Sequence, residues 1–308
     1  MLTRLCGSSV GWWLVMVTFG LSAGFVESPA SAAAQESEEI AVASQKILPL
    51  AWEISDQLHS PESAAYDSER NVLYVSNFRN DGHEFLSKIG MNGEVLELEW
   101  VTGLDRPTGV RIHNDRLYAV ERSGVAEIDI DDGKIIRRLP IADVGFLNDL
   151  AFDDTGVLYV TDSRKGSVYR VSTDGTTELW MAEGSLPGVN GILATANRLL
   201  VGVSGEAAIK AIDLATRTVT TIATLEQGAI MDGIVPDGHG GYLISDYNGR
   251  VYRLQPGGEP ELILDISVSG GKTADIEYVP DMGLLIVPSL GENRLCAYRC
   301  TLRAVGGR

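Results

Sequence analysis

Short alternations of apolar and polar residues, separated by turns rich in glycine and aspartate, run along most of the chain. The stretch NDLAFDDTGVLYVTDSRKGSVYRV (148–171) is typical of three strands and two turns, because β-branched and aromatic residues alternate there with polar ones. The segment MDGIVPDGHGGYLISDYNGRVYRL (231–254) repeats the pattern in register. No long helical pattern interrupts these copies. The sequence therefore predicts an all-β protein made of repeats.

Six copies of this unit follow one another at spacings of 40 to 46 residues. Their first strands open with one polar residue each: Glu62, Thr108, Asn148, Asn190, Asp232 and Asp275. A period of this length with four short strands is typical of a propeller blade. We predict a six-bladed β-propeller over residues 47–304, with four antiparallel strands per blade. The segment ILPLAWEIS (47–55) is expected to supply the missing outermost strand of the sixth blade and so close the ring.

The N-terminal segment has the features of an export signal. Arg4 precedes an apolar run at 11–26, and Ala30-Ser31-Ala32 fits a cleavage site with small residues. We predict a signal peptide over residues 1–32 and a flexible leader over 33–46, with an uncleaved anchor as the alternative. The mature protein would be periplasmic or extracellular.

The net charge of the chain limits the kinds of molecule that it is expected to bind. The chain has 308 residues and a formal net charge of −17. This charge argues against binding to nucleic acid or to an anionic membrane surface. We expect a monomer that acts on a small molecule, with no membrane contact beyond the signal segment.

Cys296 and Cys300 stay in the mature chain, and an export compartment permits a disulfide between them. Four residues of extended strand span about 13 Å, which is too far for a bridge. A disulfide would therefore require a bend at this point, and both alternatives remain open from the sequence.

The six opening residues should meet around one point, because the first strand of each propeller blade lines the central channel. Glu62, Asn148, Asn190 and Asp232 offer two carboxylates and two amides, which are hard oxygen ligands that suit Ca²⁺ better than zinc. Asn and Asp also cap strands and turns locally, and this is the competing interpretation for any one of them. Their recurrence at one structural position favours a metal site.

Four short motifs carry a resemblance to a known family: Pro61-Glu62-Ser63, Asn148-Asp149-Leu150, Asn190-Gly191-Ile192 and Asp232-Gly233-Ile234. In this order and spacing, the chain resembles the family of senescence marker protein, gluconolactonase and luciferin-regenerating enzyme. Diisopropyl fluorophosphatase and the paraoxonases share the architecture. The resemblance covers roughly residues 47–304.

The resemblance implies hydrolysis of a lactone, a related ester or a phosphoester, and the signal segment adds the expectation that the enzyme is exported. The resemblance also implies a divalent cation, usually calcium, held by Glu62, Asn148, Asn190 and Asp232, which would polarise the reacting carbonyl or phosphoryl oxygen. Asp232 would be a general base or a direct nucleophile, and Asp149 would tune a ligand or transfer a proton. Further candidates for contacts to the ligands or the substrate are Thr108, Asp275, Arg106 and His59.

One difference from the family's sequence pattern weakens the expectation that the substrate is a sugar lactone. Members that act on sugar lactones often carry Arg-x-Asn-Asp, whereas this chain has Gly145-Phe146-Leu147 before Asn148-Asp149. A group that would anchor sugar hydroxyls is therefore missing from that position. The alternative is a non-catalytic propeller that binds a ligand or protein and uses a metal for stability.

Overall fold

The computed structural model describes residues 47–79 and 81–303. The predicted signal peptide (1–32), the predicted leader (33–46) and residue 304 lie outside the described residues. In the described part of the chain, regular structure consists of twenty-four strands and four 3₁₀ turns. No helix among these residues is long and apolar enough to cross a membrane.

The strands form six four-stranded antiparallel sheets, and the first three sheets follow the chain directly. Strand β1 (Leu50–Ile54) precedes them. The first blade contains β2 (Pro61–Asp67), β3 (Val72–Asn77), β4 (Glu84–Gly90) and β5 (Val95–Leu104). The second contains β6 (Val110–His113), β7 (Arg116–Glu121), β8 (Gly124–Asp129) and β9 (Ile135–Pro140). The third contains β10 (Leu147–Phe152), β11 (Leu158–Asp162), β12 (Ser167–Val171) and β13 (Thr177–Met181).

The remaining sheets complete the six-bladed propeller. The fourth blade contains β14 (Val189–Ala194), β15 (Arg198–Val203), β16 (Ala208–Asp213) and β17 (Val219–Thr224). The fifth contains β18 (Met231–Pro236), β19 (Tyr242–Asp246), β20 (Arg250–Leu254) and β21 (Glu261–Asp265). The sixth contains β22 (Glu277–Val279), β23 (Leu284–Ser289) and β24 (Arg294–Arg299), with β1 as its outermost strand. The 3₁₀ turns are Ser204–Glu206, Ser267–Ser269, Pro280–Met282 and Leu290–Glu292.

The N-terminal strand closes the ring as predicted. β1 pairs antiparallel with β24, and Trp52 lies opposite Ala297 while Ile54 lies opposite Leu295. The innermost strands also form a closed series, because each contacts its neighbour and β22 contacts β2. The first and last blades are therefore joined both at the channel and at the rim.

Hydrophobic clusters fill the spaces between neighbouring blades. One cluster joins Tyr74 of the first blade to Leu117 of the second, and another joins Leu73 of the first blade to Ile286 of the sixth. Burial of this apolar area at about 25 cal/mol per Å² is the main force that holds the blades together. The core is thus divided among the interfaces between blades, and the axis is left to polar residues.

A β-bulge interrupts the innermost strand where the chain reaches the channel. In the third blade, Leu147 pairs with Asp162 and Leu150 with Val160, so two residues face one. The same shift occurs in the first, fourth and fifth blades. Bulges re-aim side chains and are common beside functional sites. Here each bulge presents two consecutive residues near the axis.

Cys296 and Cys300 are both buried free thiols, so the disulfide considered from the sequence does not form. Cys296 lies within β24, whose extended backbone keeps the two cysteines apart. Burial raises the pKa of each thiol to about 11. Neither thiol is therefore activated as a nucleophile.

Candidate functional site

Two rings of residues line the channel at the end where the innermost strands begin. We define the mouth ring as the first bulge position of the first, third, fourth and fifth blades, with the equivalent residue of the second and sixth: Glu62, Thr108, Asn148, Asn190, Asp232 and Ala274. We define the inner ring as the next position along each strand: Ser63, Gly109, Asp149, Gly191, Gly233 and Asp275. The loops between blades and the hairpin loops that follow each second strand lie at this same end, because strand direction alternates within each blade.

Asp275 lies in the inner ring, one position deeper in the channel than the comparison of the six repeats predicted. The backbone N–H of Gly109 donates to the carbonyl of Asn148 at 2.8 Å, and the N–H of Asp275 donates to the carbonyl of Glu62 at 2.9 Å. Asp275 is therefore the counterpart of Gly109, and Ala274 holds the sixth mouth position. No turn of fixed length precedes Asp275 in the sequence, so the sequence could not determine whether Ala274 or Asp275 takes the mouth position.

Glycine at three inner-ring positions allows adjacent blades to approach closely. A Cβ atom at these positions would collide with the next blade, at Asp149 for Gly109, at Asp232 for Gly191 and at Asp275 for Gly233. The inner ring therefore combines three glycines with the polar residues Ser63, Asp149 and Asp275, and the glycines leave the space that the adjacent strands occupy.

Arg111 fills the centre of the inner ring and was missed by the sequence analysis. Its guanidinium bonds Asp275 Oδ2 at 2.9 Å, Asp149 Oδ2 at 3.1 Å and the carbonyl of Val110 at 2.8 Å. Burial opposes its charge, but Asp149 and Asp275 outweigh burial and raise the pKa of Arg111. Arg111 thus joins the second, third and sixth blades across the channel.

Asp149 is held from several sides. Its Oδ1 accepts the N–H of Leu150 at 2.7 Å, and its Oδ2 accepts the N–H of Ile192 at 3.0 Å in addition to Arg111. Burial raises the pKa of Asp149 to about 7, while Arg111 and the two backbone amides act in the opposite direction. Its side chain is nearly inaccessible, so the structure supports a positioning role for Asp149 more directly than a proton-transfer role.

The mouth ring, in contrast, contains polar atoms that lack partners. The amide nitrogen of Asn190 donates to Asp232 Oδ1 at 3.2 Å, and that of Asn148 donates to Ser163 Oγ at 3.1 Å. Asn190 Oδ1 and Glu62 Oε2 are buried and have no hydrogen-bond partner in the part of the chain that the structure describes. An unpaired buried oxygen costs about 1 to 3 kcal/mol. These oxygens are therefore available to a ligand.

The two mouth-ring carboxylates destabilise one another's ionised form. Burial, followed by the charges of Asp232, Asp275 and Asp149, raises the pKa of Glu62 well above its ordinary value. Burial and the charges of Asp275 and Asp149 do the same for Asp232. A bound cation would remove this penalty.

The donor set of the mouth ring fits a hard cation but depends on the amides. Within residues 47–79 and 81–303, no three His, Cys, Asp or Glu side chains are grouped closely enough to hold a metal by themselves. The carboxylates of Glu62 and Asp232 would therefore need the amide oxygens of Asn148 and Asn190. Oxygen-only sites of this mixed kind suit Ca²⁺, and two carboxylates balance one divalent charge.

The other predicted contact residues lie around this ring. Thr108 is buried and its hydroxyl donates to the carbonyl of Leu147 at 3.5 Å. His59 lies just before β2, where its Nδ1 is 2.8 Å from Arg79 NH1 and its ring packs on Phe85. Burial and Arg79 lower the pKa of His59, which favours a neutral imidazole.

Arg106 and two aromatic residues form the rim on one side of the mouth. The guanidinium carbon of Arg106 lies 4.2 Å from the ring centroid of Phe146 and 5.8 Å from that of Phe78. Arg106 precedes Thr108 by two residues, and Phe146 precedes Asn148 by two residues. The structure thus places an arginine against Phe146, although from the adjacent blade.

Solved structures share this fold. A gluconolactonase from Xanthomonas campestris is 19% identical over 80% of this chain and 87% of its own, with a TM-score of 0.64. A structural-genomics target described as a candidate gluconolactonase is 16% identical over 85% of this chain and 97% of its own, with a TM-score of 0.65. An inactive virginiamycin B lyase variant from Staphylococcus aureus, solved with quinupristin, is 14% identical over 82% of this chain and 99% of its own, with a TM-score of 0.58.

No family model and no curated protein matches the sequence. At identities below 20%, the structural likeness establishes the six-bladed propeller shared with these enzymes and leaves the reaction to be argued from the site.

Proposed function

We propose that the protein is a calcium-dependent hydrolase that acts on a lactone or a related ester at the mouth of the channel. The observation that carries this proposal is the uncompensated mouth ring. Glu62 and Asp232 are buried with raised pKa values, and within the described residues Glu62 Oε2 and Asn190 Oδ1 have no hydrogen-bond partner. In the same channel, Arg111 neutralises the inner-ring carboxylates Asp149 and Asp275, whereas the mouth ring keeps this unfavourable arrangement.

Glu62, Asn148, Asn190 and Asp232 would hold the cation. When bound, the cation would act as a Lewis acid on the carbonyl oxygen of the substrate. The Asn190 amide orients Asp232 by a hydrogen bond to Oδ1. Asp232 would then take a proton from the attacking water, and the ring C–O bond would break as the leaving oxygen is protonated. In the alternative route, Asp232 would attack the carbonyl carbon directly, the ring C–O bond would break with protonation of the leaving oxygen, and water would then hydrolyse the acyl–aspartate bond to release the product acid.

Arg111 and the backbone amides would fix Asp149 below the ring, so that the bulge holds Asn148 in place. The neighbouring structures support an enzymatic site on this fold, since gluconolactonase and lyase are both named among them. Export to the periplasm or the exterior belongs to the same proposal, because millimolar calcium is an extracellular condition.

The test is a calcium titration of the full chain, followed both by thermal unfolding and by turnover of a panel of lactones and aryl esters. Asp232→Asn removes the proposed base and one ligand charge. Asp281→Asn is the matched control, because it makes the same change at an exposed position at the other end of the channel.

Turnover that needs calcium and falls by about 100- to 10,000-fold in Asp232→Asn, while Asp281→Asn keeps it, is the expected result. Calcium binding without turnover on any substrate would favour the non-catalytic binding propeller. Absence of calcium binding in the wild type would refute the metal site itself.

A further inference from the structure

Arg106 occupies an unusual position for a charged residue. It lies in the connection between β5 and β6, two residues before the mouth-ring Thr108. Phe146 and Phe78 lie 6.2 Å apart between ring centroids, and the guanidinium lies over both. Stacking against an aromatic face fixes the plane of a guanidinium and leaves its hydrogen-bonding edge open.

The hydrogen-bonding groups of the Arg106 guanidinium distinguish it from the paired arginine of the channel. Within residues 47–79 and 81–303, no carboxylate forms an ion pair with Arg106, and its buried Nε atom has no hydrogen-bond acceptor. The nearest acid, Asp105, is bonded instead by Arg122 Nε at 2.9 Å. The aromatic contacts stabilise the charge, but the hydrogen bond to water that burial removes from Nε is not replaced by one to the protein. The arrangement is therefore suited to an acceptor that arrives from outside.

The surroundings of Arg106 are locally positive. Burial, followed by the charges of Arg122 and Arg164, lowers the pKa of Arg106, and only Asp105 opposes them. This concentration of arginine contrasts with the net charge of −17 for the whole chain. Near a channel mouth, such a patch attracts anions and would direct them toward the mouth ring.

We propose that Arg106, with Phe78 and Phe146, forms a subsite for a carboxylate group of the substrate. The substrate would then be an anionic lactone or ester that carries a carboxylate apart from its reacting carbonyl. This inference rests on the proposed hydrolase function for the reaction but not for the binding. A planar guanidinium pairs with a carboxylate through two parallel hydrogen bonds, which a neutral hydroxyl does not provide.

The proposal also accounts for Phe146, which lies where members that act on sugar lactones often carry an arginine. The ring at this position supports an arginine contributed by the preceding blade, at 4.2 Å. The specificity would accordingly shift from neutral sugar hydroxyls toward a charged group. Arg106 is thus a specificity-determining residue, and Asp232 keeps the chemistry.

The kinetic test compares γ-butyrolactone with the same lactone bearing a ring carboxylate. Arg106→Gln removes the charge, and Arg106→Lys keeps the charge but removes the two-pronged geometry. Arg299→Gln is the matched control, because it removes the charge of an exposed arginine at the opposite end of the propeller. We expect Arg106→Gln to lower kcat/KM for the charged lactone by about 10- to 100-fold through KM, with less than about threefold change for the neutral one. Arg106→Lys should fall between, and Arg299→Gln should resemble the wild type.

A binding test separates this inference from the hydrolase proposal. Calorimetry with cyclopentanecarboxylate, and with the neutral cyclopentanecarboxamide as reference, needs no turnover. Selective carboxylate binding that Arg106→Gln abolishes would support the subsite even if no lactone were hydrolysed. Equal effects of Arg106→Gln on both lactones, or no carboxylate binding to the wild type, would overturn it.

Discussion

The mouth ring and the inner ring lie one residue apart along the same strands, yet their carboxylates have opposite surroundings. In the inner ring, Arg111 and backbone amides satisfy Asp149 and Asp275. In the mouth ring, Glu62 and Asp232 form no ion pair within the described residues, and burial with nearby carboxylates raises the pKa of each. Both rings are buried and acidic, so residue type alone does not separate them. The presence or absence of a charge partner does, and on this difference rests our proposal that the mouth ring is the binding site.

The largest expected effect on stability comes from removing the positive charge of Arg111, which compensates the inner-ring carboxylates. Arg111→Met would leave Asp149 and Asp275 as buried carboxylates without their cation, and we expect a loss of about 3 to 5 kcal/mol in the free energy of unfolding. Urea denaturation at pH 7.5 measures this. Arg164→Met, at an exposed site, should change stability by less than about 0.5 kcal/mol. A loss below about 1 kcal/mol for Arg111→Met would show that the two rings do not differ as described.

Neutralising a carboxylate of the mouth ring should instead increase the free energy of unfolding. Glu62→Gln removes a buried charge that repels Asp232, so without calcium at pH 8 we expect a gain of about 1 to 2 kcal/mol in the free energy of unfolding. With 1 mM calcium the order should reverse, because the variant has lost a ligand. Glu94→Gln, at an exposed turn, is the control. Destabilisation of the calcium-free protein by Glu62→Gln would mean that Glu62 has a partner in the channel.

The same contrast predicts a pH dependence. The pKa values of Glu62 and Asp232 are raised in the folded state, so between about pH 4 and these raised values the folded protein binds more protons than the unfolded chain. Stability of the calcium-free protein must then fall as pH rises, and Asp149, with a pKa of about 7, adds to the same trend.

We expect a lower urea midpoint at pH 8 than at pH 5 for the calcium-free protein, and a smaller difference at saturating calcium, because the cation stabilises the ionised carboxylates. Equal midpoints at the two pH values without calcium would contradict the raised pKa values.

The sequence was sufficient for the blades because their periodicity is a local signal repeated six times. It predicted the closing strand correctly, since the sixth repeat runs out one strand early and 47–55 has strand character. It also placed Glu62, Asn148, Asn190 and Asp232 at equivalent positions. These results depend on spacing alone, which side-chain packing does not alter.

The inner ring was harder to predict because it depends on the bulge and on contacts between distant strands. The bulge presents Asn148 and Asp149 to the channel together, whereas simple alternation would point one of them away. One signal for Arg111 was available: four other blades place an apolar residue at the equivalent position, namely Ala65, Ala151, Leu193 and Val235, and the sixth blade places Glu277 there. Its partners Asp149 and Asp275 lie 38 and 164 residues away, and no local pattern links them.

The smallest expected effect concerns the hydroxyl that holds this bulge. The backbone N–H of Asp149 donates to Thr161 Oγ1 at 3.0 Å, and Ser76 and Ser245 accept the corresponding N–H groups of Ser63 and Gly233. Thr161→Val keeps the shape of the side chain but leaves a buried N–H unpaired, so we expect a loss of about 1 to 2 kcal/mol.

Thr220→Val, on an exposed outermost strand, should cost less than about 0.5 kcal/mol in the same urea experiment. Because the bulge also positions Asn148, Thr161→Val should weaken calcium binding several-fold, a change that calorimetry detects and Thr220→Val should not produce. If Thr161→Val lowers stability but leaves calcium affinity unchanged, then the inner ring supports the fold without positioning the mouth ring.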